Sequence, residues 1–314
     1  MENKKFNICI VGGGSRYTPG ILRMLVGEKD RFPIGKITLY DNEAERQAKV
    51  GAYGRILMSE YYPECEVVDT TDPETAFTGI DFAFMQIRAG RLKMREMDEK
   101  IALKHGRIGQ ETCGAGGFAY GMRSVPAVCD IIKDIRKYAP EAWILNYSNP
   151  AAIVAEATKR VFPDDYRIIN ICDMPVGLET NMCSIIKDET GRELTRSDME
   201  IRYYGLNHFG WWTQVQDKDG NDLMPILKKH ISEMGYANNS PEFQHRDPSW
   251  VETYTKAKDV YALDPETIPN TYLKYYLYPD FVVEHSDPNY TRANEVMDGR
   301  EKTVFGQAKA IVEN

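Results

Sequence analysis

Hydrophobic positions in the first half of the chain gather in short, nearly continuous runs separated by longer amphipathic stretches. The runs are Phe6–Val11, Lys36–Tyr40, Cys65–Asp69, Asp81–Ile87, Ala142–Tyr147 and Arg167–Cys172. They are rich in β-branched and aromatic residues and do not alternate apolar with polar. A strand needs that pattern when both faces of its sheet are covered, as in a parallel sheet. Between the runs, Glu43–Ser59, Ser124–Tyr138 and Pro150–Val161 place apolar residues at helical spacing. Strand–helix alternation of this kind predicts an α/β domain built on a doubly wound parallel sheet.

Beyond about Pro175 the texture changes. Arg202–Tyr204 and Trp211–Gln216 read as strands, and Lys218–Asn221 (KDGN) carries a turn signal. Helical patterns follow at Met224–Met234, Trp250–Leu263 and Thr271–Val283. Aromatic residues are dense here, and their ordinary use is core and interface packing. The predicted organisation is a dinucleotide-binding domain over residues 1–175 and a mixed α+β substrate domain over 176–314.

Composition narrows the function classes. Thirty-nine Lys+Arg against 47 Asp+Glu give a net charge of −8, which disfavours general nucleic-acid binding because phosphate backbones would be repelled. Hydrophobic residues at 42% and charged residues at 27% describe a folded globular chain rather than a disordered one. No run approaches 18 uninterrupted apolar residues, so no membrane partner is expected. The N-terminal apolar run is too short for a signal peptide and passes directly into glycines, so the expected location is the cytoplasm. Six scattered cysteines without a CxxC pair fit that location and suggest neither a disulfide framework nor a zinc ribbon.

Candidate chemistry lies after the predicted strands. The first runs into Gly12, Gly13, Gly14 and Ser15, then Thr18-Pro19-Gly20 and an apolar helical pattern. Glycines permit a tight turn and close approach to a pyrophosphate, and the helix start adds N–H groups and a positive dipole end. The second strand ends at Asp41, whose carboxylate suits an adenosine ribose and repels a 2′-phosphate, which favours NAD over NADP. The spacing is GGGSxxTP rather than GxGxxG, a variant of the dinucleotide fingerprint. Arg88, Arg91 and Arg95 follow the fourth strand, Asn149 the fifth, and Cys172 and Asp173 the sixth. A glycine-rich loop, 109–117, contains Glu111. Taken singly, Cys172 reads as a buried thiol, Asp173 as a helix N-cap before Pro175, and His208 as a structural histidine. Their expected placement at the rim of one cleft is what marks them.

Seven segments carry a wider resemblance: VGGGSRYTPGI, MREMDEKIALKHGRIGQETCGAGG, NYSNPAAI, ICDMPVG, YYGLNHFGWW, PNTYLKYY and DPNYTRANEVMDGRE. Over essentially the whole chain the sequence resembles glycoside hydrolase family 4, in the branch acting on α-linked 6-phosphoglucosides such as maltose 6′-phosphate. The Asp after Cys172 matches that branch, where the β-linked branch has Asn. The resemblance implies a Rossmann-like NAD domain as in lactate and malate dehydrogenases, with a glycosidase that uses NAD⁺ and Mn²⁺ or another divalent metal. This family departs from the paired-carboxylate mechanism. Its reaction proceeds by oxidation at C3, proton loss at C2, elimination of the aglycone, water addition and re-reduction. Carried over residue by residue, Cys172 and His208 match the metal ligands, a thiolate and an imidazole. Asp173 matches the acid that protonates the leaving oxygen, and Tyr272 the C2 base. A free tyrosine has a pKa near ~10 and needs a nearby cation to act at neutral pH. Glu111 matches a residue supporting that tyrosine. Arg95, Asn149 and Arg292 match substrate contacts, and a guanidinium offers phosphate a planar donor fork. The resemblance further implies a homo-oligomer, dimer or tetramer.

Two other readings stand beside this one. A lactate- or malate-type NAD-dependent dehydrogenase would share the fold, but it uses no metal thiolate. A catalytically silent NAD-binding remnant is the other, because family members are expected to continue through a further helical segment past a point like Asn314.

Overall fold

A computed structural model describes residues 4–313. Two compact units emerge. The first gathers 4–101, Gly109–Ile171 and 289–313, and the second Ala102–Ile108 with Cys172–Pro288.

In the first unit six strands form one sheet: β1 (Phe6–Val11), β2 (Ile34–Tyr40), β3 (Glu66–Thr70), β4 (Phe82–Met85), β5 (Trp143–Asn146) and β6 (Ile168–Asn170). Their order is β3-β2-β1-β4-β5-β6 and every pairing is parallel. This is the doubly wound order of dinucleotide-binding folds, in which strands are added outward on one side of β1 and then, from β4, on the other. The predicted runs all became strands: the first over the predicted residues, the second starting two residues earlier, the third shifted by one, and the last three trimmed by a residue or two at each end. Helices α1 (Thr18–Gly27) and α2 (Ala44–Tyr61) pack on one face, and α4 (Gly114–Tyr138) and α5 (Ala151–Val161) on the other, while α3 (Arg91–Lys104) follows β4 without a residue in either sheet core.

The continuous hydrophobicity of β1 has a direct cause. Cys9 and Val11 point into a core with Phe77, Met85, Val128, Ile132 and Ile144. Ile8 and Ile10 point the other way, into a core with Leu22, Ile37, Leu39, Tyr53 and Met58. Successive strand residues face opposite sides, so both must be apolar. Each fully buried Ile or Leu contributes roughly 1.5–3 kcal/mol. Register then fixes where function can sit. Val11 aligns with Tyr40 and Met85, Met85 with Asn146, and Asn146 with Asn170. The loops that leave these strand ends therefore emerge along one edge of the sheet.

The sequence-based boundary at Pro175 assigned 289–314 to the second domain. In the structure residues 289–313 pack with the first unit. Phe305 and Ala308, on the helix Lys302–Glu313, join the Leu22/Tyr53/Met58 core. Arg46 reinforces the attachment through Glu301 at 3.0 Å and through the Phe305 ring at 5.1 Å. A short amphipathic helix does not announce its partner, so sequence order alone put it with its neighbours.

The second unit pairs strands β7 (Met199–Leu206) and β8 (Phe209–Asp217) as an antiparallel hairpin, with β9 (Ile268–Pro269) at its side. Helices α6 (Met174–Thr190) and α7 (Met224–Met234) pack on it. Leu178, Met182, Ile185, Ile186, Trp212, Val215, Leu227, Ile231 and Tyr236 make its core. The helix expected over Trp250–Leu263 is two pieces, Pro248–Thr255 and Ala257–Tyr261. The one expected over Thr271–Val283 breaks into a 3₁₀ turn at Thr271–Leu273 and two short helices. Pro279 cannot continue a helix already under way, so it opens the last piece. Among the described residues no helix is long and apolar enough to cross a membrane.

Candidate active site

At the edge of the first unit's sheet, Gly12 opens the turn after β1 with φ +86°, a conformation costly for any residue with a Cβ. The amides of Gly12 and Gly13 both donate to the Tyr40 carbonyl at 2.8 Å, and Ser15 donates to the Gly12 carbonyl at 2.9 Å. Gly14 donates to Asp41 Oδ2 at 2.9 Å. A Cβ on Gly13 would sit 2.8 Å from that of Leu39. The glycines thus let the turn lie flat on β2, and their amides hold it there. Asp41 has a structural task as well: it ties Gly14 and accepts the Glu43 amide at 3.1 Å. Burial raises its carboxyl above the ordinary value, against the opposing Gly14 amide and Arg46.

Positive charge beside the turn comes from Arg88, already noted after the fourth strand, and from Arg16 and Arg300, which the motif reading did not single out. Arg16 lies within electrostatic reach of Arg88, Arg300 and Glu111. Burial, with Arg88 and Arg300, pushes its guanidinium below the ordinary value, and Tyr17 and Glu111 oppose this. Arg16, Arg88 and Arg300 thus bring guanidinium charge together, partly offset by the Glu111 carboxylate, and guanidiniums suit a phosphate-bearing ligand. The sequence signal for them was present, since arginines recur after the strands, but their convergence required the fold.

Glu111 stands at the centre of these charges. Its carboxylate meets Arg88 at 2.5 Å and Arg95 at 2.9 Å. Burial disfavours its charge, yet Arg88, Arg95 and Arg16 outweigh burial and hold the pKa at about 2. Glu111 is therefore ionised throughout the physiological range. The loop that presents it is tied by local hydrogen bonds and packing. Gln110 Oε1 accepts the amides of Thr112 and Cys113 at 2.6 and 2.7 Å, and Gly109 packs against the backbone of Glu99. Arg95, expected as a substrate contact, is 5% exposed and bonds Glu99 at 2.6 Å as well as Glu111. Asn149 is half-buried just past β5. Arg292 opens a single helical turn, Arg292–Glu295, and pairs with Glu295 at 2.7 Å.

The second unit brings three of the expected residues together. Cys172 Sγ and His208 Nε2 are 3.5 Å apart. Bonds of roughly 2.3 Å to a thiolate and 2.1 Å to an imidazole, at a near-tetrahedral angle, put two donors on one ion about 3.6 Å apart. The pair therefore fits a divalent metal. Among the described residues there is no cluster of three or more His, Cys, Asp or Glu able to hold one. Two protein donors alone leave coordination positions open, which is the condition for a catalytic rather than a structural metal. His208 reaches this place from the two-residue turn of the β7–β8 hairpin with φ +63° and is 6% exposed. A non-glycine residue held left-handed costs on the order of 1 kcal/mol or more, and such strain concentrates at functional sites.

Tyr272 sits in the 3₁₀ turn Thr271–Leu273, capped by Asn270, whose Oδ1 accepts the Tyr272 amide at 3.0 Å. Its ring meets the His208 imidazole edge-on at 4.4 Å and stacks on Trp250 at 5.8 Å. Asp173 occupies the N-cap position of α6, as its sequence context suggested, but its side chain makes no cap bond. The carboxylate is exposed and not committed to the helix.

A sequence profile of family 4 glycosyl hydrolases matches residues 7–188, and the profile of that family's C-terminal domain matches 203–313. The chain belongs to glycosyl hydrolase family 4. It is 58% identical over 311 residues to the maltose-6′-phosphate glucosidase MalH of Clostridium acetobutylicum, covering 99% of this chain and 69% of that relative. The crystal structure of a 6-phospho-α-glucosidase from gut microorganisms in complex with NAD and Mn²⁺ superposes with a TM-score of 0.92. The two are 51% identical over 99% of this chain and 70% of that one. A second gut 6-phospho-α-glucosidase, in complex with NAD and glucose 6-phosphate, is 43% identical with the same TM-score, over 99% and 69% of the two chains. Family membership agrees with the parallel sheet and its strand order, and with the motif resemblance.

Proposed function

We propose that this chain hydrolyses 6-phospho-α-glucosides, maltose 6′-phosphate among them, to release glucose 6-phosphate, using NAD⁺ and a divalent cation such as Mn²⁺. The observation that carries the reading is the Cys172–His208 pair at 3.5 Å with Tyr272 against the imidazole. A lactate- or malate-type dehydrogenase has no use for a thiolate in that position. The names of the relatives supply the α-linkage and the 6-phosphate.

Cys172 and His208 would hold the cation. The glycine turn, Asp41 and the neighbouring Arg16 would hold the dinucleotide. Bound NAD⁺ and metal would supply hydride acceptance at C3 and polarisation of the sugar oxygens, which together acidify the C2–H bond. The chain's own residues do the proton work. Tyr272 takes the C2 proton onto its phenolate oxygen, with a cation at Cys172/His208 favouring the ionised phenol. Asp173, exposed and free of helix capping, gives its proton to the departing glycosidic oxygen. Arg292 and Asn149 hold the phosphorylated sugar. Arg95 and Glu111 set the charge around it, with Glu111 fixed as an anion.

The test is turnover of chromogenic 6-phospho-α- and 6-phospho-β-glucosides side by side, with and without Mn²⁺, NAD⁺ and a reductant. Turnover of the α-linked substrate alone, dependent on both cofactors and without net NADH accumulation, is expected. NADH accumulation with a hydroxy acid would favour the dehydrogenase. No turnover with every component present would favour a silent NAD-binding chain.

A further inference from the structure

The first unit contains a buried carboxylate that the proposed chemistry does not use. Glu99 lies on α3 and is 1% exposed. One of its oxygens accepts Arg95 Nε at 2.6 Å, and the other accepts the backbone amide of Ala293 at 2.9 Å. Ala293 follows Arg292 directly and is itself fully buried. Nearly two hundred residues of sequence separate the two ends of this contact. One helical turn before Glu99, Glu96 accepts the Asn294 side-chain amide at 2.9 Å. Asn294 in turn accepts the Thr291 amide at 2.9 Å, closing the turn from which Arg292 projects.

A buried anion is expensive unless it is paired and fully hydrogen-bonded. Here the pairing is directional. Arg95 pins one oxygen and is itself pinned by Glu111 on its far side. The second oxygen can then meet only a donor placed where the Ala293 amide lies. We propose that Glu99 is a positioning residue. It holds the Arg292 turn in register with Arg95, so that the guanidinium of Arg292 is presented to the substrate's phosphate without searching for its place. This rests on the reading of Arg292 as a phosphate contact. A preformed guanidinium loses less entropy on binding than a mobile one, so the benefit appears in affinity.

Binding of glucose 6-phosphate to the intact chain, measured by calorimetry, tests this together with steady-state kinetics. Glu99→Gln keeps the shape and removes the charge. Glu99→Asp keeps the charge but is one methylene too short to span both partners, and it serves if the glutamine variant does not fold. Either is expected to raise the dissociation constant for glucose 6-phosphate, and KM, by about tenfold, while kcat and NAD⁺ affinity stay within about threefold. A role in stability alone would lower the melting temperature and leave ligand affinity unchanged at a temperature where the variant is folded. That result overturns the proposal. Arg292→Ala separates the two levels of the argument. If it weakens glucose 6-phosphate binding and the Glu99 variants do not, the positioning role falls alone. If it has no effect on binding, the phosphate role of Arg292 falls and takes Glu99's with it.

Discussion

Replacing Glu111 with glutamine probes the charge balance at the end of the sheet. The carboxyl is held at about 2 against an ordinary value of 4.5, because Arg88, Arg95 and Arg16 outweigh the cost of burial. At about 1.4 kcal/mol for each tenfold change in proton affinity, that difference corresponds to roughly 3 kcal/mol. The side chain is only 14% exposed, so solvent screens little of it. The folded-state value is depressed, so the contribution is complete above about pH 4.5 and is lost as the pH falls toward 2. Glu111→Gln leaves Arg88 and Arg95 with less compensation, and breaking one partner of a buried pair costs about 3–5 kcal/mol. Urea unfolding at pH 7 is therefore expected to find the variant about 3 kcal/mol less stable, with the gap narrowing as both proteins are taken from pH 4.5 toward 2.5. The wild type should take up about one more proton on unfolding in that window than the variant does. A gap that stays constant across the window would refute the reasoning, since it would mean that packing and not ionisation carries the effect.

Other outcomes follow from the same geometry. Asp173→Ala should slow substrates with poor leaving groups much more than nitrophenyl glycosides, and equal losses on both would remove Asp173 as the acid. Cys172→Ser and His208→Ala should each weaken Mn²⁺ binding by about tenfold or more in a titration of free Mn²⁺, because on the proposed reading these two side chains would hold the ion, and among the described residues no group of three or more His, Cys, Asp or Glu could replace them. Gly117→Ala would drive a Cβ into the backbone of Thr112, whereas Gly20→Ala on α1 meets nothing. Thermal unfolding should show the first destabilised by about 2 kcal/mol or more and the second neutral or stabilised by up to about 1 kcal/mol.

By itself the sequence determined the first unit's sheet. A strand covered on both faces must be apolar at every position, and this constraint is local, so all six runs were legible. Two strands of the second unit, the glycine turn and the types of residue after each strand were legible for similar reasons, whereas the pairing of those strands as a hairpin came from the structure. Candidate ligands and acids could be picked by type and motif. Which of them meet was decided only by the tertiary structure. Cys172 and His208 are 36 residues apart in sequence and come together because α6 and the β7–β8 hairpin share one core. Arg95 was expected as a substrate contact, and in the fold its buried guanidinium links the carboxylates of Glu99 and Glu111. The chain's last residues were assigned to the second domain, yet the helix Lys302–Glu313 joins the first unit's core through Phe305 and Ala308. The difference is physical. Hydrophobic periodicity records how a segment meets an interior, and carries no label for which interior. The partner of a buried charge is likewise set by packing between segments far apart in the chain. Glu99, bonded to a backbone amide 194 residues away, is the clearest instance.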